Sequence, residues 1–107
     1  MERDVMVVRI YLSEADQGRR TTLVREIFSR LHDTHQVRGL TVFRGIAGFG
    51  SSGEVHSADL LRWTADLPLV IEFFDEPERV EAALAAIAAL LPAGHVLRWP
   101  ARCLCAT

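Results

Sequence analysis

A run rich in glycine and serine contains the side chains of this sequence best suited to chemistry. It opens at Arg44, carries glycines at positions 45, 48, 50 and 53, and includes Ser51, Ser52 and His56. Glycines at a strand exit let backbone N–H groups converge on an anion, and an adjacent arginine suits phosphate. The run therefore predicts contact with an anionic ligand. The alternative is that the glycines only let a strand bulge and leave its sheet.

The polar residues of the run and a nearby arginine pair each allow two interpretations. His56 is able to change charge near neutral pH, and it is either a turn or interface histidine or a ligand contact. The two serines either donate to an anion or solvate the loop. Arg19 and Arg20 stand near a predicted helix start, where they attract anions or remain a solvated pair. The candidate ligand-binding residues are Arg44, Gly45, Gly48, Gly50, Ser51, Ser52, His56, Arg19 and Arg20.

No catalytic arrangement emerges from the order of the residues. The run matches neither a Walker P-loop nor a strand–GxGxxG–helix unit. No Ser–His–Asp or Cys–His constellation can be argued from the sequence, so we predict that the protein is not an enzyme. All 12 basic residues are arginines, which excludes Schiff-base chemistry on lysine and a P-loop lysine.

Metal binding is a weaker alternative. His32 and His35 are three residues apart on a predicted helix, a spacing that lets two imidazoles share one face, and Asp33 is adjacent. No third ligand stands at metal spacing. Near the end of the sequence, Cys103 and Cys105 are either two small apolar residues on one buried face or a soft-metal or redox pair. Their extended spacing disfavours a mutual disulfide.

Composition narrows the functional class further. The sequence has 107 residues, half of them hydrophobic, which predicts a single domain over 1–107 with a real core. A net charge of −2 gives no electrostatic case for nucleic acid or an anionic membrane surface. No apolar signal segment or run of transmembrane length is present, so we expect a cytoplasmic protein.

Hydrophobic periodicity predicts four strands and two helices. The strands are expected at 5–12, about 40–50, 67–74 and 96–105, the last at an edge, bent or bulged because Pro100 cannot donate to a ladder. The first helix begins at Thr21 and buries Leu23, Ile27, Phe28 and Leu31. The second follows a predicted capping box that starts at Asp75, and buries Val80, Leu84, Ile87 and Leu91. Trp63 and Trp99 are expected in the core or at a subunit interface.

The order strand, helix, strand, strand, helix, strand predicts an α+β ferredoxin-like βαββαβ fold, a four-stranded antiparallel sheet with two helices on one face. Alternation along the strands then assigns residues to the uncovered face. We predict Val5, Val7, Arg9, Tyr11, Leu40, Val42, Arg44, Ile46, Val70, Glu72 and Phe74 there. Such a face is a large apolar patch for a monomer, so we expect a closed homo-oligomer that buries it. Its arginines and Glu72 can pair once water is excluded.

The glycine-rich run also resembles a known family. Arg44-Gly-Ile-Ala-Gly-Phe-Gly50, Ser51-Ser52, Val55-His56-Ser57 and Asp66-Leu67-Pro68 are similar to the motifs of an uncharacterised bacterial PII-like family, domain of unknown function one-ninety. The resemblance is densest from position 39 to about 75. It implies a PII-like fold and homotrimers with clefts between subunits.

The resemblance also implies a function. In the broader PII group such clefts bind adenine nucleotides, and the loop between strands two and three contacts partners such as membrane transporters. It thus implies a signalling protein that binds a small anionic effector, such as ATP, ADP or AMP, and acts through its 50–64 loop. The tyrosine that PII proteins modify in this loop is absent, so uridylylation is not expected. A trimer that binds metal, like the divalent-cation-tolerance proteins, is the alternative.

Overall fold

The fold is seen in a computed structural model, which describes residues 1–12, 20–45, 47–49, 55–57, 69–91 and 95–104. Six strands are present in this part of the chain: β1 (Glu2–Leu12), β2 (Gly39–Arg44), β3 (Ala47–Phe49), β4 (Val55–Ser57), β5 (Leu69–Asp75) and β6 (Val96–Leu104). Helix α1 (Arg20–Ser29) continues as a π-helix (Arg30–Thr34). Helix α2 (Pro77–Ile87) ends in a 3-10 turn (Ala88–Leu90).

Four of the strands form one antiparallel sheet in the order β2-β5-β1-β6. Both helices pack on the same side of it, and the buried core comprises Val8, Ile10, Leu12, Ile27, Leu31, Ile71, Phe73, Val80, Ala83 and Ile87. Burying each of the larger aliphatic or aromatic side chains stabilises the fold by roughly 1.5–3 kcal/mol. The predicted α+β ferredoxin-like arrangement is confirmed.

The side of the sheet that carries no helix is called here the open face. Strand pairing assigns to it Val5, Val7, Arg9, Tyr11, Thr41, Phe43, Val70, Glu72, Phe74, Leu97 and Trp99. The assignments predicted for β1 and β5 are confirmed, since Arg9 is opposite Glu72 and Tyr11 is opposite Val70.

The assignment predicted for β2 is wrong by one residue. Val42 pairs with the buried Ile71 and Leu40 packs against the core, so the set that includes Arg44 lies on the helix side. β2 has a large apolar residue on each of its two faces, Val42 on one and Phe43 on the other. The hydrophobic pattern therefore could not select the register. Ile46, also predicted on the open face, is outside the described residues.

The predicted second strand is in fact two separate elements. β2 leaves the main sheet at Arg44, and β3 then pairs with β4 in a two-stranded antiparallel sheet of its own. β4 was not predicted at all. Its three residues are too few to show a period, and only the pairing with β3 defines it as a strand.

Helix α1 buries a narrower stripe than predicted. Leu23, Ile27 and Leu31 recur every four residues and are at most 4% exposed, whereas Phe28 is 46% exposed. Phe28 is one residue further around the helix from Ile27, about 100°, and its ring stacks on His32 instead, with centroids 5.9 Å apart. The prediction that Phe28 belongs to the core is wrong.

The predicted capping box at the start of α2 is also wrong. Glu76 occupies the cap position and makes no side-chain capping bond. Asp75 is instead the last residue of β5, 2% exposed, and its carboxylate accepts backbone N–H bonds from Arg38 and Glu76 at 3.1 and 2.7 Å. It also contacts Arg79 at 3.3 Å. Asp75 therefore joins the start of β2 to the start of α2.

The last strand confirms a prediction made from proline. β6 lies at an edge of the main sheet, with Pro100 opposite Met6 of β1. An edge position tolerates a residue that lacks a backbone N–H. Within the described ranges, no helix is long and apolar enough to cross a membrane.

Candidate functional site

Arg44 lies at one end of the main sheet. β1 and β2 leave the sheet at this end, and β5 enters it: Leu69 is paired with both Leu12 and Arg44. β6 enters here as well, and the backbone N–H of Tyr11 donates to the carbonyl of His95 at 2.9 Å. Arg44 is therefore the last residue of β2, at the end of the sheet where all four strands begin or end. This end of the sheet is named the Arg44 edge.

Arg44 is exposed and carries an available charge. None of the residues that the structure describes forms an ion pair or hydrogen bond with its guanidinium. Gly45, the next residue, is half-buried. An arginine of this kind at a strand end is suited to an anion, because its planar group donates several hydrogen bonds at once.

The hairpin that follows brings two of the predicted residues together. β3 and β4 pair in antiparallel fashion, with Gly48 opposite His56, Ala47 opposite Ser57 and Phe49 opposite Val55. The backbone pairing places Gly48 and His56 at the same level of the hairpin. The sequence placed both residues in one loop but did not indicate that they would be cross-strand partners.

The structure does not place the remaining predicted ligand residues beside Arg44 or in the β3–β4 hairpin. Arg20 is the first residue of α1. Arg19, Gly50, Ser51 and Ser52 are outside the described residues, as are Trp63 and most of the 50–64 segment. Their roles remain predictions.

The open face has a charged centre with an aromatic neighbour. Nε and Nη2 of Arg9 both donate to one carboxylate oxygen of Glu72, at 3.0 and 2.6 Å. The guanidinium also lies over the ring of Trp99, 5.4 Å from its centroid. Hydrogen bonds with Tyr11 and with Glu72 raise the pKa of Arg9. The predicted pairing of arginine with Glu72 is confirmed for Arg9 and not for Arg44, which lies on the other side.

The two histidines of the predicted pair have different hydrogen-bond partners. Nδ1 of His32 and Oδ1 of Asp33 are 2.7 Å apart, and the Ser29 hydroxyl donates to the other oxygen of Asp33 at 3.0 Å. Hydrogen bonds from His32 and from Ser29 lower the pKa of Asp33. His35 follows the π-helix and uses its carbonyl to accept a bond from Arg79. No group of three potential metal ligands occurs in the described ranges.

A shallow groove of about 410 Å³ runs beside this cluster on the outer surface of α1. It is lined by Val24, Arg25, Phe28, Ser29, His32 and Asp33. Sequence reasoning missed the Ser29–Asp33 contact, although their spacing of four residues on a helix was a usable signal.

Cys103 differs from the favoured prediction of a buried thiol. It is half-buried near the end of β6 and is disulfide-bonded. Cys105 is outside the described residues.

Comparison with known proteins identifies the family. The model of the family DUF190, described as uncharacterised ACR, matches residues 5–103, and the chain belongs to this family. A UPF0166 protein of Aquifex aeolicus is 31% identical over 81 residues, which are 76% of each chain.

Two solved structures show what the fold resembles. CPII of Thiomonas intermedia K12, a nitrogen regulatory PII-like protein solved with ADP and bicarbonate, superposes with a TM-score of 0.58 at 18% identity, covering 96% of this chain and 89% of that one. The divalent ion tolerance protein CutA1 of Ehrlichia chaffeensis superposes with a TM-score of 0.55 at 12% identity, covering 96% and 84%. The fold is therefore PII-like, and it is shared with CutA1.

Proposed function

We propose that this protein is a non-enzymatic PII-like sensor that binds a small anionic effector, with an adenine nucleotide as the leading candidate. The observation that carries the proposal is the continuity from Arg44 at the end of β2 into a hairpin where Gly48 faces His56. The hairpin thus follows Arg44 and Gly45 closely in the chain, after β2 has left the main sheet.

The chemistry of the Arg44 edge suits phosphate. Arg44 offers a charge that no described residue neutralises, and the glycines leave room for a ligand close to the backbone. The serines of the run and the Arg19–Arg20 pair are further candidate donors. ADP bound to CPII, a protein of the same fold, adds support for a nucleotide of this size.

The open face supports assembly into a homo-oligomer, for which we propose a trimer. Tyr11, Phe43, Leu97 and Trp99 are 36–53% exposed there, which is unusual for large apolar side chains that stay in water. In such an assembly the Arg44 edge would border a cleft between subunits. Effector binding would then change the order of the 50–64 loop and present or withdraw a surface for a partner such as a membrane transporter.

Calorimetric titration with ATP, ADP and AMP tests the effector. We expect saturable heat with at least one of them, at a stoichiometry of one per subunit. No heat with any of the three would exclude the nucleotide as effector and leave another small anion to be sought.

Metal binding is a second candidate because the fold is shared with CutA1 and because of the arrangement of His32. An imidazole that donates its Nδ1 proton to a carboxylate, as His32 can to Asp33, is oriented as metal-bound histidines are. Elemental analysis of the purified protein, together with a His32→Ala/His35→Ala variant, tests it. Metal retained by the wild type and lost by the variant would favour this function over the nucleotide sensor.

A further inference from the structure

We propose that the Arg9–Glu72 pair, together with Trp99, determines how copies of this chain pack against one another on the open face. The inference rests on the proposed homo-oligomer and goes beyond it, because it names the residues that select one arrangement from several possible ones. The occupant of the face is a second copy of this chain.

Charge matching on the open face favours a second copy as the occupant. Arg9 is paired with Glu72 at 2.6 Å, and Arg3, on the same side of β1, is paired with Glu76 at 3.1 Å. Each of these arginines is thus neutralised within its own subunit. Two copies of the face meet without like-charge repulsion, whereas a charged ligand or a charged partner surface would find no net charge to attract it.

The surroundings of the Arg9–Glu72 pair make its position important for the packing of a second copy. In the subunit alone the two side chains are 37% and 27% exposed, and large apolar groups surround them on neighbouring strands. When a second copy covers the face, the pair loses its remaining water. An ion pair in a dry interface is tolerated only where its geometry is kept and its other hydrogen-bonding capacity is met.

Apolar contact by itself would not select one arrangement. Strands are spaced about 4.8 Å apart, and a copy shifted by one strand would still bury Phe43, Leu97 and Tyr11 against apolar groups. That shift would also change which groups cover the Arg9 guanidinium and the Trp99 ring on which it lies, and leave the ion pair dry under unmatched groups. The pair therefore acts against shifted arrangements, as single polar residues do in coiled-coil interfaces.

A double-mutant cycle on the full chain tests the inference. The variants are Arg9→Met, Glu72→Leu and the two combined, measured by sedimentation velocity and native mass spectrometry. Each single variant leaves one charge unpaired in the interface, so the dissociation constant of the oligomer should rise by about a hundredfold or more. The combined variant should regain association but populate more than one stoichiometry.

Another ion pair provides a matched control. Arg98 of β6 and Glu81 of α2 form an ion pair of the same residue types on the helix side of the sheet. Arg98→Met/Glu81→Leu should leave both the stoichiometry and the dissociation constant unchanged. Circular dichroism of every variant checks that the subunit is folded.

The results separate this inference from the assembly on which it rests. A wild-type protein that is monomeric at micromolar concentration would overturn both. A wild-type oligomer whose combined variant keeps one stoichiometry, or whose single variants associate as tightly as the wild type, would overturn only the role of the pair.

Discussion

The ring of Phe74 occupies the space that a side chain at Gly39 would need. A Cβ atom built on Gly39 would be 2.6 Å from Cε1 of Phe74, the residue opposite it in the β2–β5 pair. A side chain at position 39 would therefore have to displace the Phe74 ring, and this close approach, not a positive φ, favours glycine here.

Replacement of Gly39 should show this dependence on Phe74. We expect Gly39→Ala to destabilise the fold by about 1–2 kcal/mol, because the ring must move from its place on the sheet. In a Phe74→Ala background the same substitution should cost close to nothing, and chemical denaturation of the four proteins measures the difference. Equal costs in the two backgrounds would show that the ring is not the obstacle.

Substitution of Asp75 should have a large effect for a residue outside the apolar core. Asp75→Ala removes the acceptor of two backbone N–H groups and a partner of Arg79, and each buried donor left unpaired costs about 1–3 kcal/mol. The exposed Glu78, in the first turn of α2, is the control, and Glu78→Ala should change the free energy of unfolding by less than about 1 kcal/mol. Comparable losses would contradict the role assigned to Asp75.

Two adjacent residues of α1 should respond very differently to truncation. Ile27 is fully buried, and Ile27→Ala should cost about 2–5 kcal/mol through lost burial and the cavity left behind. Phe28 is 46% exposed, so Phe28→Ala should cost less than about 1 kcal/mol. Urea denaturation distinguishes the two. A large loss at Phe28 would mean that the ring is covered in the assembled protein.

The carboxylate of Asp33 should titrate at lower pH than usual. Hydrogen bonds from His32 and from Ser29 favour the charged form, so its pKa lies below the ordinary 3.8. A lowered folded-state pKa contributes stability that is present above 3.8 and is lost as pH falls through the folded value. Carbon-detected NMR titration measures the pKa directly. Ser29→Ala should move it back toward 3.8, and an unchanged value in that variant would rule out the Ser29 contribution.

The sequence was sufficient to predict the fold, but it was not sufficient to predict the register of every strand. Ile27, Leu31, Val80 and Ile87 recur with the period of their helices, and the burial predicted for them was found. On β2, Val42 and Phe43 are both large and apolar, so either face was possible, and the alternation alone did not show how β2 pairs with β5.

The candidate site was less predictable for a related reason. The glycines and Arg44 stood out by composition, but the pairing of Gly48 with His56 depends on a hairpin whose strands have three residues each. Asp75 had the spacing of a helix cap, yet it accepts from Arg38, which is 37 positions away in the chain. A local sequence pattern cannot reveal a contact between residues so far apart in the chain.

Arg44 is the residue on which the proposed anionic effector site depends most. The most direct test of that dependence is calorimetric titration of ADP into the wild type, Arg44→Ala and the control Arg98→Ala, whose arginine is on β6 and paired with Glu81. We predict saturable binding to the wild type and to the control, and binding about tenfold weaker or more for Arg44→Ala, because a charge-assisted hydrogen bond is lost. Equal affinity of all three proteins would contradict the role of Arg44, and no binding of ADP to the wild type would contradict ADP as the effector.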